Sequence, residues 1–231
     1  MDNQIFTIQN FGGISRVFTQ LYLRFKSGSF SECEIPIIFS ENDYLKGILN
    51  THSLFPENKS FFKKLFYYAI NRSYSVLRLL RGNFDVFQPT YYDPYFLPFL
   101  KNKPFVLVTH DMTHELFPEN VSIQDRTIEW KKKLVYKADR IVAISENTKR
   151  DIIKFYDIDE SKIEVIYWGT SMAVSKEKVE IDLPEKYILF VGNRSTYKNF
   201  NLFFKSIIPI LKEKKDLNLV CAGSSKFSQE E

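Results

Sequence analysis

The strongest candidate for chemistry in this sequence is the segment of residues 110–115, which directly follows an apolar run. It contains His110, Asp111, His114 and Glu115. Imidazoles and carboxylates at the end of a buried strand are placed to bind a polar substrate. Two histidines four residues apart are also a metal-ligand pattern, but the order differs from the zinc-protease motif HExxH and the segment reads as a loop. Substrate contact is therefore the favoured interpretation, with a structural loop and a metal site as alternatives.

A glycine pair near the start of the chain predicts contact with phosphate. Gly12 and Gly13 immediately precede a helical pattern, in which Arg16 is a further candidate substrate contact. Glycine lets a backbone approach a ligand closely, and the amides at a helix N-terminus attract phosphate. A plain turn into a helix is the alternative use of the same pair.

A second glycine segment, residues 192–198, joins a strand pattern to a helix pattern. It contains Arg194 and Lys198. Two cations beside the amides of a helix start suit a diphosphate group. The alternative is a basic loop in solvent.

Two further patterns are given plainer interpretations. Asp157 and Asp159 form a DxD pattern, which can hold a metal ion, but they lie in a turn where solvated carboxylates are expected. Residues 60–81 form a basic, aromatic helical pattern that could lie on a membrane surface. A helix that packs on the core with a wet basic side is the favoured alternative.

Charge and cysteine content set broad limits on function. The net charge is +4 and no long basic block occurs, so the composition does not call for nucleic acid as a partner. Cys33 and Cys221 lie far apart and fit no metal-site spacing, so both are expected to be reduced thiols of a cytoplasmic protein. No apolar run is long enough to span a bilayer.

The elements that must position these residues alternate between strand and helix patterns. Strands are predicted at residues 34–39, 84–88, 105–109, 140–144, 163–167, 187–191 and 217–221, and helices at 14–25, 62–80, 122–137, 145–155 and 201–214. Strands separated by helices predict an α/β fold with parallel sheets. Ligands of such sheets bind beyond the carboxyl ends of the strands, where the candidate segments lie.

The domain organisation follows from a change in composition. Residues 170–185 are rich in Lys, Glu and Ser without a clean period and are predicted to link a domain of residues 1–169 to residues 186–231. The last segment is shorter than a usual domain, and only residues 4–8 are left for a first strand. We therefore expect a chain truncated at both ends, with an incomplete second domain.

Five segments, taken in order, resemble the retaining group 1 (family 4 type) glycosyltransferases, which include mannosyltransferases of bacterial polysaccharide assembly. They are residues 10–16, 108–112, 138–147, 162–169 and 190–199, so the resemblance runs over nearly the whole chain. It implies a GT-B-like architecture: a Rossmann-like N-terminal domain for the acceptor and the beginning of a second Rossmann-like domain for a nucleotide-sugar donor.

The resemblance also implies roles for the candidate residues. Gly12 and Gly13 would approach the donor diphosphate, His110 would lie near the transferred sugar, and the pair Arg194 and Lys198 would neutralise the departing diphosphate. The implied reaction is retaining hexosyl transfer, with GDP-mannose as the first donor considered, to a glycan or lipid-linked acceptor. No cofactor or metal would be needed, and contact with the inner face of the cytoplasmic membrane is a further hypothesis.

One departure from the family pattern concerns the later E-x7-E element, which would come after residue 231. We therefore expect little transferase activity from this chain alone. A sugar-nucleotide epimerase of the same fold and a non-catalytic acceptor-binding remnant are the competing hypotheses.

Overall fold

The computed structural model describes residues 1–28, 31–53, 61–120, 122, 124–170, 181–192, 194 and 198–223. The chain divides into two compact units, Met1–Ser171 and Met172–Glu231. The division falls within the predicted linker of residues 170–185, of which residues 171–180 lie outside the described part.

The first unit is a parallel sheet covered by helices. Its described helices are α1 (Gln4–Ile8), α2 (Gly13–Ser27), α3 (Phe61–Arg81), α4 (Thr113–Leu116), α5 (Thr127–Lys137) and α6 (Glu146–Tyr156). Its strands are β1 (Val106–Thr109), β2 (Arg140–Ala143) and β3 (Ile163–Val165), paired in parallel in that order. The register places Leu107 beside Ile141, and Ile141 beside Ile163. The predicted α/β class with parallel sheets is therefore confirmed.

Side chains on the two faces of this sheet enter two different hydrophobic clusters. Leu107, Ile141 and Ile163 pack with α5, α6 and the 3₁₀ helix Pro94–Phe99. Val108, on the other face, packs with α1 and α2. Alternate residues of a strand point to opposite faces, so both faces of the sheet are buried, as parallel sheets require.

The first residues of the chain form a helix and not the strand expected there. The carbonyl of Asn3 accepts hydrogen bonds from the amides of Phe6 and Thr7, and the amide of Ile5 donates to Thr90 Oγ1 at 3.1 Å. These backbone groups therefore find partners locally and in a distant loop, so they need no neighbouring strand.

Residues 34–39 and 84–88 were predicted as strands, but each contributes only an isolated bridge, Phe39 to His52 and Phe87 to Phe105. The side chain of Asn71 explains the first case. Its Oδ1 accepts from the amides of Ile38 and Phe39, both at 3.0 Å, and its Nδ2 donates to the Phe39 carbonyl at 2.7 Å. A side chain of α3 thus replaces the ladder that a neighbouring strand would provide.

Helix α3 packs on the first unit through a stripe that includes two polar side chains. Its buried stripe is Tyr67, Asn71, Ser75 and Leu79. Five large apolar side chains of the helix are exposed instead: Phe62, Leu65, Phe66, Leu77 and Leu80. In the described part of the chain, no helix combines the length and the apolar character needed to cross a bilayer.

The second unit contains a parallel pair of strands, β4 (Lys186–Val191) and β5 (Leu217–Ala222), and helix α7 (Phe200–Glu213). Phe190 of β4 packs against α7, with ring centroids 4.8 Å from Phe200 and 5.4 Å from Phe203. The bounds agree with the predicted elements at 187–191, 201–214 and 217–221 to within about a residue.

Candidate functional site

The carboxyl edge of the first sheet brings together two residues far apart in sequence. His110 directly follows β1 and Trp168 follows β3, and their ring centroids lie 5.0 Å apart. Ligands of parallel sheets bind at this edge, so the two rings mark a candidate site. Trp168 is 37% exposed, whereas His110 is only 5% exposed.

The imidazole of His110 is enclosed by aromatic rings. Besides Trp168, the ring of Phe18 lies edge-on at 5.8 Å and that of Tyr92 at 6.3 Å, and the His110 amide donates to Tyr92 Oη at 3.2 Å. Burial lowers the pKa of His110 to about 4; Asp111 raises this pKa and Lys131 lowers it further. His110 is therefore neutral at physiological pH, which suits hydrogen bonding and not charge stabilisation.

The Nδ1 atom of His110 is buried without a hydrogen-bond partner, as is Thr109 Oγ1 beside it. A buried polar atom with no partner costs about 1–3 kcal/mol of folding free energy, so such atoms need an explanation. At the carboxyl end of a parallel strand, a hydrogen bond to a bound ligand would supply one.

The glycine pair lies at the N-terminus of α2, the same helix that brings Phe18 to His110. A side chain at Gly13 would meet nothing within 4 Å, whereas a side chain at Gly12 would collide with Gln9 Oε1. The backbone at Gly13 is thus open to a ligand. Phe18 follows Gly13 by about 7.5 Å along the helix axis, at 1.5 Å per residue. Arg16 lies between them, half-buried.

The segment after His110 was expected to be a loop, but Thr113–Leu116 forms one helical turn, α4. Asp111 is exposed, and its Oδ1 accepts from the Thr113 amide at 3.0 Å, which favours that turn. His114 Nε2 lies 3.5 Å from Asp125 Oδ2. Asp111 thus has a local role in the turn, whereas His114 Nδ1 is buried without a hydrogen-bond partner, and substrate contact by either residue stays a prediction.

Glu115 is buried in a polar cluster below this segment. Its Oε2 lies 2.9 Å from Lys131 Nζ, and its Oε1 accepts from the Tyr156 hydroxyl. Burial raises the pKa of Tyr156, and the hydrogen bond to Glu115 raises it further, so the hydroxyl remains a donor. With both oxygens occupied inside the unit, Glu115 is better suited to a structural role than to substrate contact.

In the second unit, Arg194 and Lys198 lie around the N-terminus of α7. The guanidinium carbon of Arg194 is 5.9 Å from the ring centroid of Phe200, the first residue of α7, and Arg194 is 9% exposed. Lys198 is exposed and packs along Gly192, where a side chain would meet its Nζ at 2.9 Å. Gly192 has φ +139°, a conformation that favours glycine. Residues 193 and 195–197 of the predicted segment lie outside the described residues.

Within the described ranges, no three His, Cys, Asp or Glu side chains are grouped so that they could hold a metal ion. Asp157 ends α6 in the left-handed conformation, and Asp159 Oδ1 accepts from the Ser161 amide at 2.8 Å. The DxD pattern therefore has a local role in turn formation.

Two residues of the site were missed by the sequence interpretation. Trp168 and Lys131 were not among the candidate residues. Lys131 carried a signal, because it shares one helix face with Leu134, Val135 and Ala138, all of which are buried. A lysine inside an apolar stripe is expected to be buried with a partner.

Known relatives match parts of this chain. The O-antigen chain mannosyltransferase RfbU of Salmonella typhimurium is 28% identical over 126 residues, which cover 54% of this chain and 34% of the relative. An uncharacterised glycosyltransferase, MJ1607 of Methanocaldococcus jannaschii, is 28% identical over 101 residues, covering 38% of this chain and 26% of the relative. The chain thus spans about a third or less of the length of these two curated relatives.

Solved structures show a weaker likeness. The apo lipopolysaccharide outer core galactosyltransferase WaaB is 19% identical, with a TM-score of 0.49 over 94% of this chain and 66% of that one. TarM is 15% identical, with a TM-score of 0.48 over 69% of this chain and 32% of that one. Scores below 0.5 do not by themselves establish a common fold, so the assignment depends on the sequence family.

The family described as Glycosyltransferase Family 4 matches residues 11–173, which is more than half of the 231-residue chain. The match includes Gly12 and Gly13, the segment from His110 to Glu115, and Trp168. The chain therefore belongs to Glycosyltransferase Family 4.

Proposed function

We propose that this chain takes part in retaining transfer of a hexosyl group from a nucleotide-sugar to a glycan or lipid-linked acceptor, in polysaccharide or cell-envelope glycan synthesis. A mannosyl group from GDP-mannose is the first candidate, and the architecture would be GT-B. The observation that carries the proposal is His110: a buried imidazole whose Nδ1 has no partner, at the carboxyl end of β1, in a member of a glycosyltransferase family.

In the proposed reaction, the bond between the anomeric carbon and the diphosphate oxygen breaks while the acceptor hydroxyl attacks the same face of the sugar. The hydroxyl proton passes to the departing diphosphate. Negative charge grows on that diphosphate, and preplaced donors of the second unit would stabilise it: Arg194 and Lys198, with the amides at the N-terminus of α7. Neutral His110 would hydrogen-bond to the sugar. In this scheme side chains and amides supply the positive charge, so no metal takes part.

The first test measures binding of GDP and UDP by calorimetry to a full-length version of the protein, because the donor site of this chain alone is expected to be incomplete. Loss of one charge partner in Arg194→Ala or Lys198→Ala should weaken binding by about 10-fold or more. Lys205→Ala is the matched control, because this exposed lysine lies further along α7. Absence of binding of either nucleotide at millimolar concentration would refute the donor site and favour a non-catalytic acceptor-binding protein.

Product analysis separates the two enzymatic hypotheses. A full-length version of the protein is incubated with nucleotide-sugars, with and without candidate acceptors, and the products are identified by mass spectrometry and NMR. Release of nucleoside diphosphate that depends on an acceptor supports transfer, and the two alanine variants should then reduce the rate by about 100-fold or more. An isomerised nucleotide-sugar in the absence of acceptor would favour the epimerase.

We further propose that the protein works in the cytoplasm at the inner face of the membrane, through α3. The exposed apolar side chains of this helix are accompanied by the exposed basic residues Lys64, Arg72 and Arg81, and its sequence contains no acidic residue. Apolar and basic residues together favour an anionic lipid surface. Co-sedimentation with anionic but not zwitterionic vesicles at low salt is expected, and its absence would rule the contact out.

A further inference from the structure

Lys131 is a charged side chain that the proposed chemistry does not use, and it is completely buried. Its exposed fraction is 0%, and its Nζ makes three contacts. It lies 2.9 Å from Glu115 Oε2, donates to the carbonyl oxygen of Asp111 at 3.0 Å, and lies 4.9 Å from the ring centroid of Tyr92. Each of these partners belongs to the surroundings of His110.

The cost of burying this charge makes its position informative. Removing an ammonium and a carboxylate from water costs several kcal/mol per ion, and well-packed apolar side chains of similar volume often give equal or greater stability. Stability alone is therefore a weak reason for an ion pair here. What apolar side chains could not supply is a pair of directed bonds to both ends of the segment from Asp111 to Glu115.

The bonds to this segment form a continuous set. The amide of His110 donates to Tyr92 Oη, and the carbonyl oxygen of Asp111 accepts from Lys131 Nζ. The carboxylate of Glu115 accepts from both Lys131 and Tyr156. Tyr92 itself lies under the Lys131 ammonium. The backbone that carries the imidazole is thus fixed at successive residues from inside the unit.

We propose that Lys131, with Glu115 as its counter-ion, is a positioning residue that holds the His110 segment in place at the carboxyl edge of the sheet. The catalytic consequence of this role rests on the function proposed above, whereas the positioning itself does not. The effect of Lys131 on the pKa of His110 is consistent with this arrangement, because a cation held nearby disfavours a second positive charge.

The main experiment uses the double variant Lys131→Met/Glu115→Met in the purified chain. Removing both charges avoids leaving one of them buried and unpaired, so overall stability should change less than in Lys131→Met alone. The bond to the Asp111 carbonyl is nevertheless lost. Lys132→Met is the matched control, because Lys132 is the next residue of α5 and is exposed.

Two measurements separate positioning from stability. Amide hydrogen exchange compares residues 111–116 with residues 141–143 of β2, and an NMR titration follows the imidazole of His110. In the double variant we expect exchange of residues 111–116 to accelerate by about 10-fold or more while β2 stays protected. The His110 pKa should rise from about 4 towards its ordinary value of 6.5.

Tyr156→Phe gives a second control within the same cluster. It removes one hydroxyl donor to Glu115 but leaves the Lys131 bond to Asp111, so exchange of residues 111–116 and the His110 titration should stay close to those of the natural sequence. If Tyr156→Phe accelerates the exchange of residues 111–116 as much as the double variant does, the bond from Lys131 to Asp111 is not what fixes this segment.

Other outcomes would also overturn the proposal. If the double variant has the same amide exchange rates and the same His110 pKa as the unsubstituted protein, Lys131 contributes stability only. If the double variant does not fold, the ion pair is needed for folding of the whole unit and has no separate positioning role. Neither measurement needs a nucleotide or a transfer reaction, so failure of the proposed function would leave this result intact. Where transfer is measurable, the double variant should lower kcat by about 100-fold with little change in the donor KM.

Discussion

Two lysine–carboxylate pairs of similar length, one in each unit, have very different surroundings. Lys131 and Glu115 are 2.9 Å apart with side chains 0% and 3% exposed, whereas Lys186 and Asp216 are 2.6 Å apart with side chains 62% and 63% exposed. Water and salt screen the second pair, so it contributes little to stability. Loss of one partner in the first leaves a buried charge, at a cost of about 3–5 kcal/mol. The burial of the two pairs, and not the distance between their charges, therefore determines which contributes more to stability.

The sheets of the two units differ in the same way. Both faces of the first sheet are covered, and Ile141 in its central strand is 0% exposed. In the second unit, Phe190 packs on α7, but Leu189 and Val191 on the opposite face of β4 are 52% and 66% exposed. Parallel strands are usually covered on both faces. The described residues of the second unit cover only one, so we expect this unit to be the less stable of the two.

The largest effect should come from a matched pair of truncations, Ile141→Ala and Leu189→Ala. Ile141→Ala removes fully buried methyl groups and should lower the free energy of unfolding of the first unit by about 2–5 kcal/mol. Leu189→Ala should change that of the second unit by less than about 1 kcal/mol, because its side chain is half in water.

The sequence provides a separate probe for each unit. Both tryptophans, Trp130 and Trp168, belong to the first unit, so their fluorescence in urea follows that unit alone. Cys221 lies in β5 and Cys33 in the first unit, and thiol labelling read by mass spectrometry follows each unit separately. Equal losses for the two substitutions would show that the second unit has a core as tight as the first.

The next effect concerns pH and only the first unit, which contains all three histidines. The folded pKa of His110 is about 4 and the ordinary value is 6.5, so between these pH values the unfolded chain binds a proton that the folded chain does not. Protonation therefore favours unfolding. The contribution of buried, neutral His110 is fully present above pH 6.5 and is lost as the pH falls to about 4, which amounts to about 3 kcal/mol.

The measurement is urea unfolding followed by tryptophan fluorescence between pH 7 and pH 4. The same series on His110→Gln is subtracted, because other carboxyl groups also titrate in this range. The difference between the two proteins should shrink by about 3 kcal/mol across the range. If the difference in the free energy of unfolding does not change with pH, the His110 imidazole is hydrated in the folded protein. The first unit would then be less completely buried than the comparison with the second unit assumes.

Sequence patterns predicted the elements whose signals are local. The apolar runs predicted β1, β2 and β3. The helix predicted from residue 145 is α6, which Ser145 caps, its Oγ accepting from the Thr148 amide at 3.1 Å. His110 followed from its place after a strand, because a strand end determines which edge of a parallel sheet a residue occupies.

The predictions that failed depend on contacts between distant residues. Residues 34–39 looked like a strand, but the side chain of Asn71, more than 30 residues away, takes up their amides. The partners of Glu115 are also distant, since Lys131 and Tyr156 come from two later helices, while its contact with substrate stays a prediction. No local pattern of residues 34–39 or 110–115 encodes these partners, so only the fold reveals them.

The smallest effect should come from Lys186→Met in the exposed pair of the second unit. Labelling of Cys221 should change by less than about threefold, and even this difference should shrink in about 1 M salt, because water and ions reach both exposed side chains and weaken their attraction. Lys131→Met should retain its loss of stability at the same salt concentration, because solvent ions cannot enter its surroundings. Asp216→Asn is the control, since it should reproduce the effect of Lys186→Met and add nothing to it in the double variant. A large loss that persists in salt would show that the exposed pair is shielded in solution, and burial would then not be what separates the two pairs.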